Sequence, residues 1–233
     1  MPQNSSLFNG GIIGKDNTPT ASDKVTSFTS NGCFNRTTAS ATVIVVAGGG
    51  SGGQGGGGAG GVLITECHPL PASAVPVTIG AGGAARASSA PYANPGTSGA
   101  NSVFGSSTPL TATGGAGGGG NFGNGGGGAG GPCAAAAPPN TSAYDAGKAN
   151  EGFNSGAGGS FQQGGGGGGA GGKGGDTVNF GGIGGFGKVL LPYGVPKCLG
   201  QCGVFGGGGG GQDPQQGGAG GSGIVVIRYK FQN

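Results

Sequence analysis

The chain has 233 residues, a length that suits one domain with at most a peripheral arm. Only 7% of its residues are charged, against about 25% in an ordinary globular protein, and ten basic and seven acidic residues give a formal net charge of +3. This balance is too small and scattered to favour nucleic acid as a partner. No apolar stretch approaches the ~20 residues that span a membrane, so no membrane insertion is expected.

Residues 1–24 are predicted to form an attachment arm. Ile12 and Ile13 form a short apolar hook in polar surroundings, and the residues up to Thr20 include a proline that breaks regular structure. Such an arm either docks on a neighbouring subunit or packs on its own domain, and both alternatives stay open. Ile12 and Ile13 are the docking candidates. The first residues lack the basic and apolar regions of a signal peptide, so export by a cleaved signal is not expected.

Residues 25–233 are predicted to form one glycine-rich domain whose regular elements are β-strands. The candidates are β-branched or alternating stretches, in chain order 25–29, 33–36, 41–47, 62–66, 75–79, 101–104, 110–113, 188–191 and 223–231. Asn31-Gly32 predicts a hairpin between the first two strands. Pro76 predicts that its strand lies at an edge or that the proline sits at the strand start. Helix signal is nearly absent.

Glycine runs separate these strands, and 68 of the residues are glycine. The runs cover 48–61, 114–131, 164–175, 181–187, 206–211 and 217–221. They could be flexible linkers, or a packed array of polyproline-II-like strands joined through their backbones. We favour the array, and the absence of a Gly-X-Y period excludes collagen. The predicted fold is therefore all-β, a small β-sandwich with packed polyglycine-II strands and almost no helix.

Catalytic and ligand-binding motifs are weak throughout the chain. Gly167–Lys173 matches the start of a phosphate loop, but Gly174 follows where Ser or Thr is required. The single histidine, His68, and five cysteines have no metal-site spacing, and the acids show no paired motif. The pair Cys198 and Cys202 either closes a loop as a disulfide or stays reduced. No enzyme activity, cofactor or metal is expected. RNA binding is not expected either, since no arginine lies within the glycine runs.

Loops on a rigid scaffold are the remaining candidates for function. Tyr92, Tyr144 and Tyr193 each lie in such a loop, and tyrosine offers a rigid surface for sugars or proteins. These three are the receptor-contact candidates; the alternative is that their loops pack on neighbouring subunits. The phenylalanines of the glycine-rich section are interpreted as core plugs at the edge of the array, and they are Phe122, Phe153, Phe161, Phe180, Phe186 and Phe205.

Several segments together point to a known family. They are the stretch from Phe28 to Thr65, VTIGAGG at 77–83, NSVFG at 101–105, LTATGGAGGGG at 110–120 and the closing GGAGGSGIVVIRY at 217–229. This pattern resembles a glycine-rich domain of bacteriophage and environmental viral proteins, over about residues 25–231. The resemblance implies a tail-fibre or other virion appendage protein. Related phage adhesins carry stacked polyglycine-II helices at a host-recognising tip.

The resemblance therefore sets the functional expectation. We expect a phage virion structural protein, an exposed tail-fibre or adhesin-like module for host attachment, tethered by its N-terminal arm. Its expected partners are other virion proteins of tail or capsid, a host-surface glycan or protein, and further copies of itself, for example in a trimer. It would be made in the host cytoplasm and reside in the virion. The alternatives are a capsid decoration or head-fibre protein without a receptor role, and a cell-surface structural protein.

Overall fold

The computed structural model describes about half of the chain in detail. The described residues are 22–35, 38–53, 55–85, 95–119, 151–153, 155–156, 165–176, 185–186, 188–189, 198–199, 206–209 and 217–231. Their regular structure is all β-strand, which confirms the predicted fold class. In this part of the chain, no helix could cross a bilayer.

In the described residues, ten strands form two four-stranded sheets and one two-stranded sheet, all with antiparallel neighbours. The strands are β1 Ser22–Phe28, β2 Gly32–Phe34, β3 Ser40–Val46, β4 Val62–Pro69, β5 Val75–Thr78, β6 Ser102–Phe104, β7 Leu110–Ala112, β8 Lys188–Val189, β9 Cys198–Leu199 and β10 Ile224–Phe231. The first sheet has the order β1-β10-β3-β4, the second β2-β5-β6-β7, and β8 pairs with β9.

The two ends of the described chain build the same sheet. In β10, Val225 lies opposite Phe28 of β1 on one side and Val45 of β3 on the other. The prediction that strands near both ends of the sequence assemble one sandwich is therefore correct. At the far end of the ladder Ser22 lies opposite Phe231.

The main hydrophobic core lies between the two sheets. It joins Val43, Val45, Val225 and Ile227 of the first sheet to the second sheet, where Phe104 is fully buried. The opposite face of the first sheet carries a second cluster, formed by Ile44, Val46, Val62, Ile64, Ile224 and Val226, which Ala170 covers. Because residues 43–46 of β3 and 224–227 of β10 are buried on both faces, these stretches are continuous apolar runs rather than alternating ones.

The connection between β1 and β2 differs from the prediction. The pair Asn31-Gly32 does not close a hairpin, because β1 and β2 belong to different sheets. The Asn31 Oδ1 atom instead accepts a hydrogen bond from the backbone N–H of Ile79 at 2.8 Å. The asparagine side chain thus hydrogen-bonds the end of β5 to the connection between β1 and β2, which crosses from the first sheet to the second. In addition, β1 begins at Ser22, three residues before its predicted start.

Pro76 lies in an inner strand, not in an edge strand as one prediction had it. It is the second residue of β5, between β2 and β6. Its carbonyl accepts the N–H of Gly105 at 2.9 Å, just beyond the first ladder pair, Val77 with Phe104. The N–H that proline lacks would point to the same neighbour, so this pair, just beyond the end of β6, keeps one of the two hydrogen bonds that an antiparallel pair can exchange.

Candidate functional site

The central glycine segment, residues 47–53, continues directly from β3 out of the sandwich. The N–H groups of successive residues donate in turn to three neighbouring segments, at N···O distances of 2.8–3.0 Å, and the order then repeats. Residues 47 and 50 donate to the segment 57–61, residues 48 and 51 to the segment 97–100, and residues 49 and 52 to the segment 218–221. This period of three is that of a polyproline-II strand, whose backbone groups all point outward.

The carbonyl groups of the same segment bind three further neighbours. The Gly48 and Ser51 carbonyls accept from the segment 115–118, that of Gly49 accepts from Gly83, and that of Gly50 accepts from Gly209. The central segment is therefore surrounded by six others, three reached through its N–H groups and three through its carbonyls. These seven segments are called the glycine array below. Their hydrogen-bond pattern confirms the predicted polyglycine-II packing.

Close approach of backbones makes glycine necessary in the array. A Cβ atom on Gly50 would lie 2.0 Å from the carbonyl oxygen of Ala116, and one on Gly57 would lie 2.2 Å from that of Gly50. Cβ atoms essentially never approach another atom within 3.0 Å. Packed backbones thus fill the space that side chains fill in an ordinary core.

Four side chains take over as hydrogen-bond acceptors where the sandwich meets the array. One is Asn31, described above. The Ser102 Oγ accepts the N–H of Gly80, and the Asn101 Oδ1 accepts the N–H of Gly114, both at 2.9 Å. The Glu151 Oε2 accepts the N–H of Thr113, also at 2.9 Å. This set is called the junction. The junction is not predictable from local sequence, because the partners of Ser102 and Glu151 lie 22 and 38 residues away.

The described segments define two opposite ends of the molecule. At the base of the sandwich Ser22 lies beside Phe231, so the residues that precede Ser22 join the sandwich at this end. At the distal end of the array the chain reverses between Gly53 and Gly55, and the Gly55 N–H donates to the Gly119 carbonyl at 3.1 Å. At this distal end, several segments of the array reach the limit of the described residues. Their last described residues include Ala85, Pro95, Gly119, Gly209 and Gly217.

All five site residues predicted from the sequence lie outside the described residues. Tyr92 belongs to the stretch between Ala85 and Pro95, Tyr144 to the stretch that ends before Glu151, and Tyr193 to the stretch between β8 and β9. Ile12 and Ile13 belong to the stretch before Ser22. Their roles stay predictions.

A groove of about 450 Å³ lies at the base, on the outer face of the first sheet. Its lining includes Asp23, which is ion-paired with Arg228, together with Lys230 and Cys67. Cys67 is exposed, has a left-handed backbone (φ 51°), and lies where β3 and β4 lose register. Charged, polar and apolar side chains together line the groove.

His68 follows Cys67 in the sequence, and its ring packs against the hydrophobic core. Its ring meets that of Phe104 edge-on, with centroids 5.9 Å apart. Partial burial lowers the pKa of His68 below its ordinary value, because desolvation disfavours the charged imidazolium. Within the described ranges, no three His, Cys, Asp or Glu side chains come together as metal ligands.

Two phenylalanines of the glycine-rich section are not core plugs, contrary to prediction. Phe186 is 75% exposed and Phe153 is 48% exposed. Both are held by their backbones: the Phe153 N–H donates to Gly169 and the Phe186 carbonyl accepts from Gly171. Their side chains therefore stand outside the packed backbones. The other four predicted plugs lie outside the described residues.

The chain matches a known protein family over most of its length. The profile of a family described as a glycine-rich domain matches residues 25–230, which include the second sheet, nearly all of the first sheet and all seven segments of the array. No curated protein matches the chain.

Proposed function

We propose that this chain, which belongs to the glycine-rich domain family, is an exposed structural protein of a bacteriophage particle. In this proposal it is a tail-fibre or adhesin-like module that contacts the host surface. The arm preceding Ser22 attaches the module to another virion protein, and the distal end of the array carries the loops that meet the host.

The observation that carries the proposal is the separation of two ends. The arm enters at the base, where Ser22 pairs with Phe231, whereas the segments ending at Ala85, Gly119 and Gly209 leave the described part at the distal level. An attachment protein needs this arrangement, since one end must be fixed to the particle while the other is presented outward. Loops held on a rigid scaffold are where binding residues usually lie.

The array supports the proposal by holding the two ends apart. Its central segment uses the N–H groups of residues 47–52 and the carbonyls of residues 48–51 in bonds to six neighbours. Bonds on every side of each turn resist bending of the array. Such a spacer keeps its length without the hydrophobic core that an ordinary domain of this size requires.

The first experiment locates the protein on the particle. Antibodies against the purified chain, applied to intact particles, should label the tail tip or fibres in electron micrographs. Labelling of the head would favour the capsid decoration alternative. Absence of the protein from purified particles would overturn the virion proposal.

The second experiment tests host attachment. Purified protein should bind host cells, and the triple variant Tyr92→Ala, Tyr144→Ala, Tyr193→Ala should bind at least tenfold more weakly. The matched control is the variant Ser106→Ala, Ser107→Ala, because these exposed serines lie in the turn at the base. Unchanged binding by the triple variant would contradict the tyrosine assignment. No binding by the unaltered protein would contradict the attachment role.

A further inference from the structure

One face of the glycine array is open to solvent, and its residues follow a simple rule. This solvent face is formed by the segments 80–85, 95–100 and 217–223, which are hydrogen-bonded side by side. Every residue of these segments that is not exposed is a glycine. Every exposed residue except Gly218 carries a Cβ atom. On this face, glycine therefore occupies the positions where backbones are in contact, and residues with a Cβ atom occupy the solvent-exposed positions.

The period of three places the Cβ atoms in rows. Ala81 and Ala84 lie one turn apart on one segment, and Ala219 and Ser222 lie one turn apart on the next. These four exposed residues are called the ridge. Between them, a Cβ on Gly82 would lie 2.0 Å from the carbonyl oxygen of Gly220, so the ridge residues point away from the contact.

The ridge occupies positions at which the array could grow by another layer. Among the residues that the structure describes, none accepts a hydrogen bond from the backbone N–H of Ala81, Ala84, Ala219 or Ser222. Inside the array, the N–H of a residue binds one neighbouring segment, and a Cβ on the same residue would collide with the next one. The N–H of Gly50 donates to Gly58, whereas its Cβ would lie 2.0 Å from the Ala116 carbonyl oxygen. The solvent face thus has backbone N–H groups that could donate to another glycine segment, together with Cβ atoms that obstruct the approach of such a segment.

We propose that the ridge prevents the array from adding glycine segments of a second copy of this chain. The situation matches that of an edge strand in a β-sheet, whose unpaired backbone groups invite another chain unless a side chain or a bulge prevents it. Here a methyl or hydroxymethyl group suffices, because a Cβ at the glycine contacts between segments, such as Gly82 with Gly220, would lie about 2.0 Å from a backbone oxygen. Copies that assemble in a particle then meet through other surfaces. This inference does not depend on the proposed function.

The experiment removes the ridge without adding any apolar group. The variant Ala81→Gly, Ala84→Gly, Ala219→Gly, Ser222→Gly is compared with the unaltered chain by sedimentation velocity over a hundredfold range of concentration. We expect an association constant at least tenfold higher, reversible on dilution, with slower hydrogen exchange at the ridge amides. The matched control is Ala81→Ser, Ala84→Ser, Ala219→Ser, Ser222→Ala, which keeps every Cβ and should sediment like the unaltered chain.

Two results would overturn the proposal. One is unchanged sedimentation of the glycine variant, and the other is equal association by the control that keeps its Cβ atoms. Each added glycine also costs about 0.5–1 kcal/mol of stability. If the fourfold variant melts below the assay temperature, the double variant Ala81→Gly, Ala84→Gly is measured against Ala81→Ser, Ala84→Ser with the same criteria.

Discussion

The carboxylate of Glu151 accepts the backbone N–H of Thr113 at 2.9 Å, although 38 residues separate them in sequence. The backbone carbonyl of Glu151 accepts the N–H of Val62 at 3.0 Å. One buried residue, 5% exposed, thereby ties the start of β4 to the point where the chain leaves β7 for the array. The sandwich and the array share a hydrogen-bonded boundary here.

Replacing Glu151 tests that boundary. We expect Glu151→Ala to destabilise the protein by about 1–3 kcal/mol, because the partly buried N–H of Thr113 loses its acceptor. Glu151→Gln keeps an acceptor oxygen of the same reach and should recover most of the loss. Urea denaturation of both variants makes the measurement. Equal destabilisation by Ala and Gln would show that the N–H of Thr113 does not depend on this oxygen.

A side chain added inside the array should be far more harmful than one added on its surface. We expect Gly57→Val to cost about 3 kcal/mol, since its Cβ would lie 2.2 Å from the Gly50 carbonyl oxygen and backbones would have to move. The matched control is Ala84→Val on the solvent face, where we expect a change within about 0.5 kcal/mol. Thermal melting compares the two. Similar melting points would mean that the segment containing Gly57 is not held in a packed array.

The two kinds of phenylalanine can be separated in the same way. Phe104 is fully buried between the sheets, and we expect Phe104→Ala to cost about 3–5 kcal/mol. Phe186 is 75% exposed, so Phe186→Ala should change stability by less than about 0.5 kcal/mol. Denaturant unfolding gives both values. A large loss at Phe186 would restore the original interpretation of this residue as a core plug.

His68 should give stability a small dependence on pH. Its pKa in the folded protein lies below the ordinary value of 6.5, because burial disfavours the cation. The unfolded chain then takes up the proton first, so the stabilisation is complete above about pH 6.5 and declines as the pH falls toward the folded value. We expect the unaltered protein to lose more stability than His68→Gln between pH 7.5 and 5.5. Parallel losses in denaturant unfolding at these two pH values would contradict this reasoning.

The strands and the array were predictable because their signals are local. The β-branched run before Gly48 and the closing Ile224–Ile227 indicate buried strands by composition alone. Glycine runs without apolar residues leave backbone pairing as the source of order, and the array uses it. Even the solvent face carries a local signal, an Ala or Ser at every third position, although that signal becomes interpretable only when the neighbours are known.

Features that depend on distant partners were not predictable. Asn31-Gly32 has the composition of a hairpin turn, but a contact with Ile79, 48 residues away, places the two strands in different sheets. The acceptor roles of Ser102 and Glu151 likewise depend on backbones brought close only by folding. Phe186 resembles any other phenylalanine among glycines until the position of its segment is known. The candidate site depends on loops that these local signals do not define.

The three-residue period of the array also constrains how such a sequence can change length. Removing three residues from one segment shortens it by one turn, about 9 Å, and leaves each remaining residue facing the neighbour it faced before. Removing one residue rotates everything beyond it by about 120° and turns a ridge methyl group inward against a carbonyl oxygen. Insertions and deletions that survive in these segments should therefore change their length by multiples of three residues, because only such changes keep every residue facing the same neighbour.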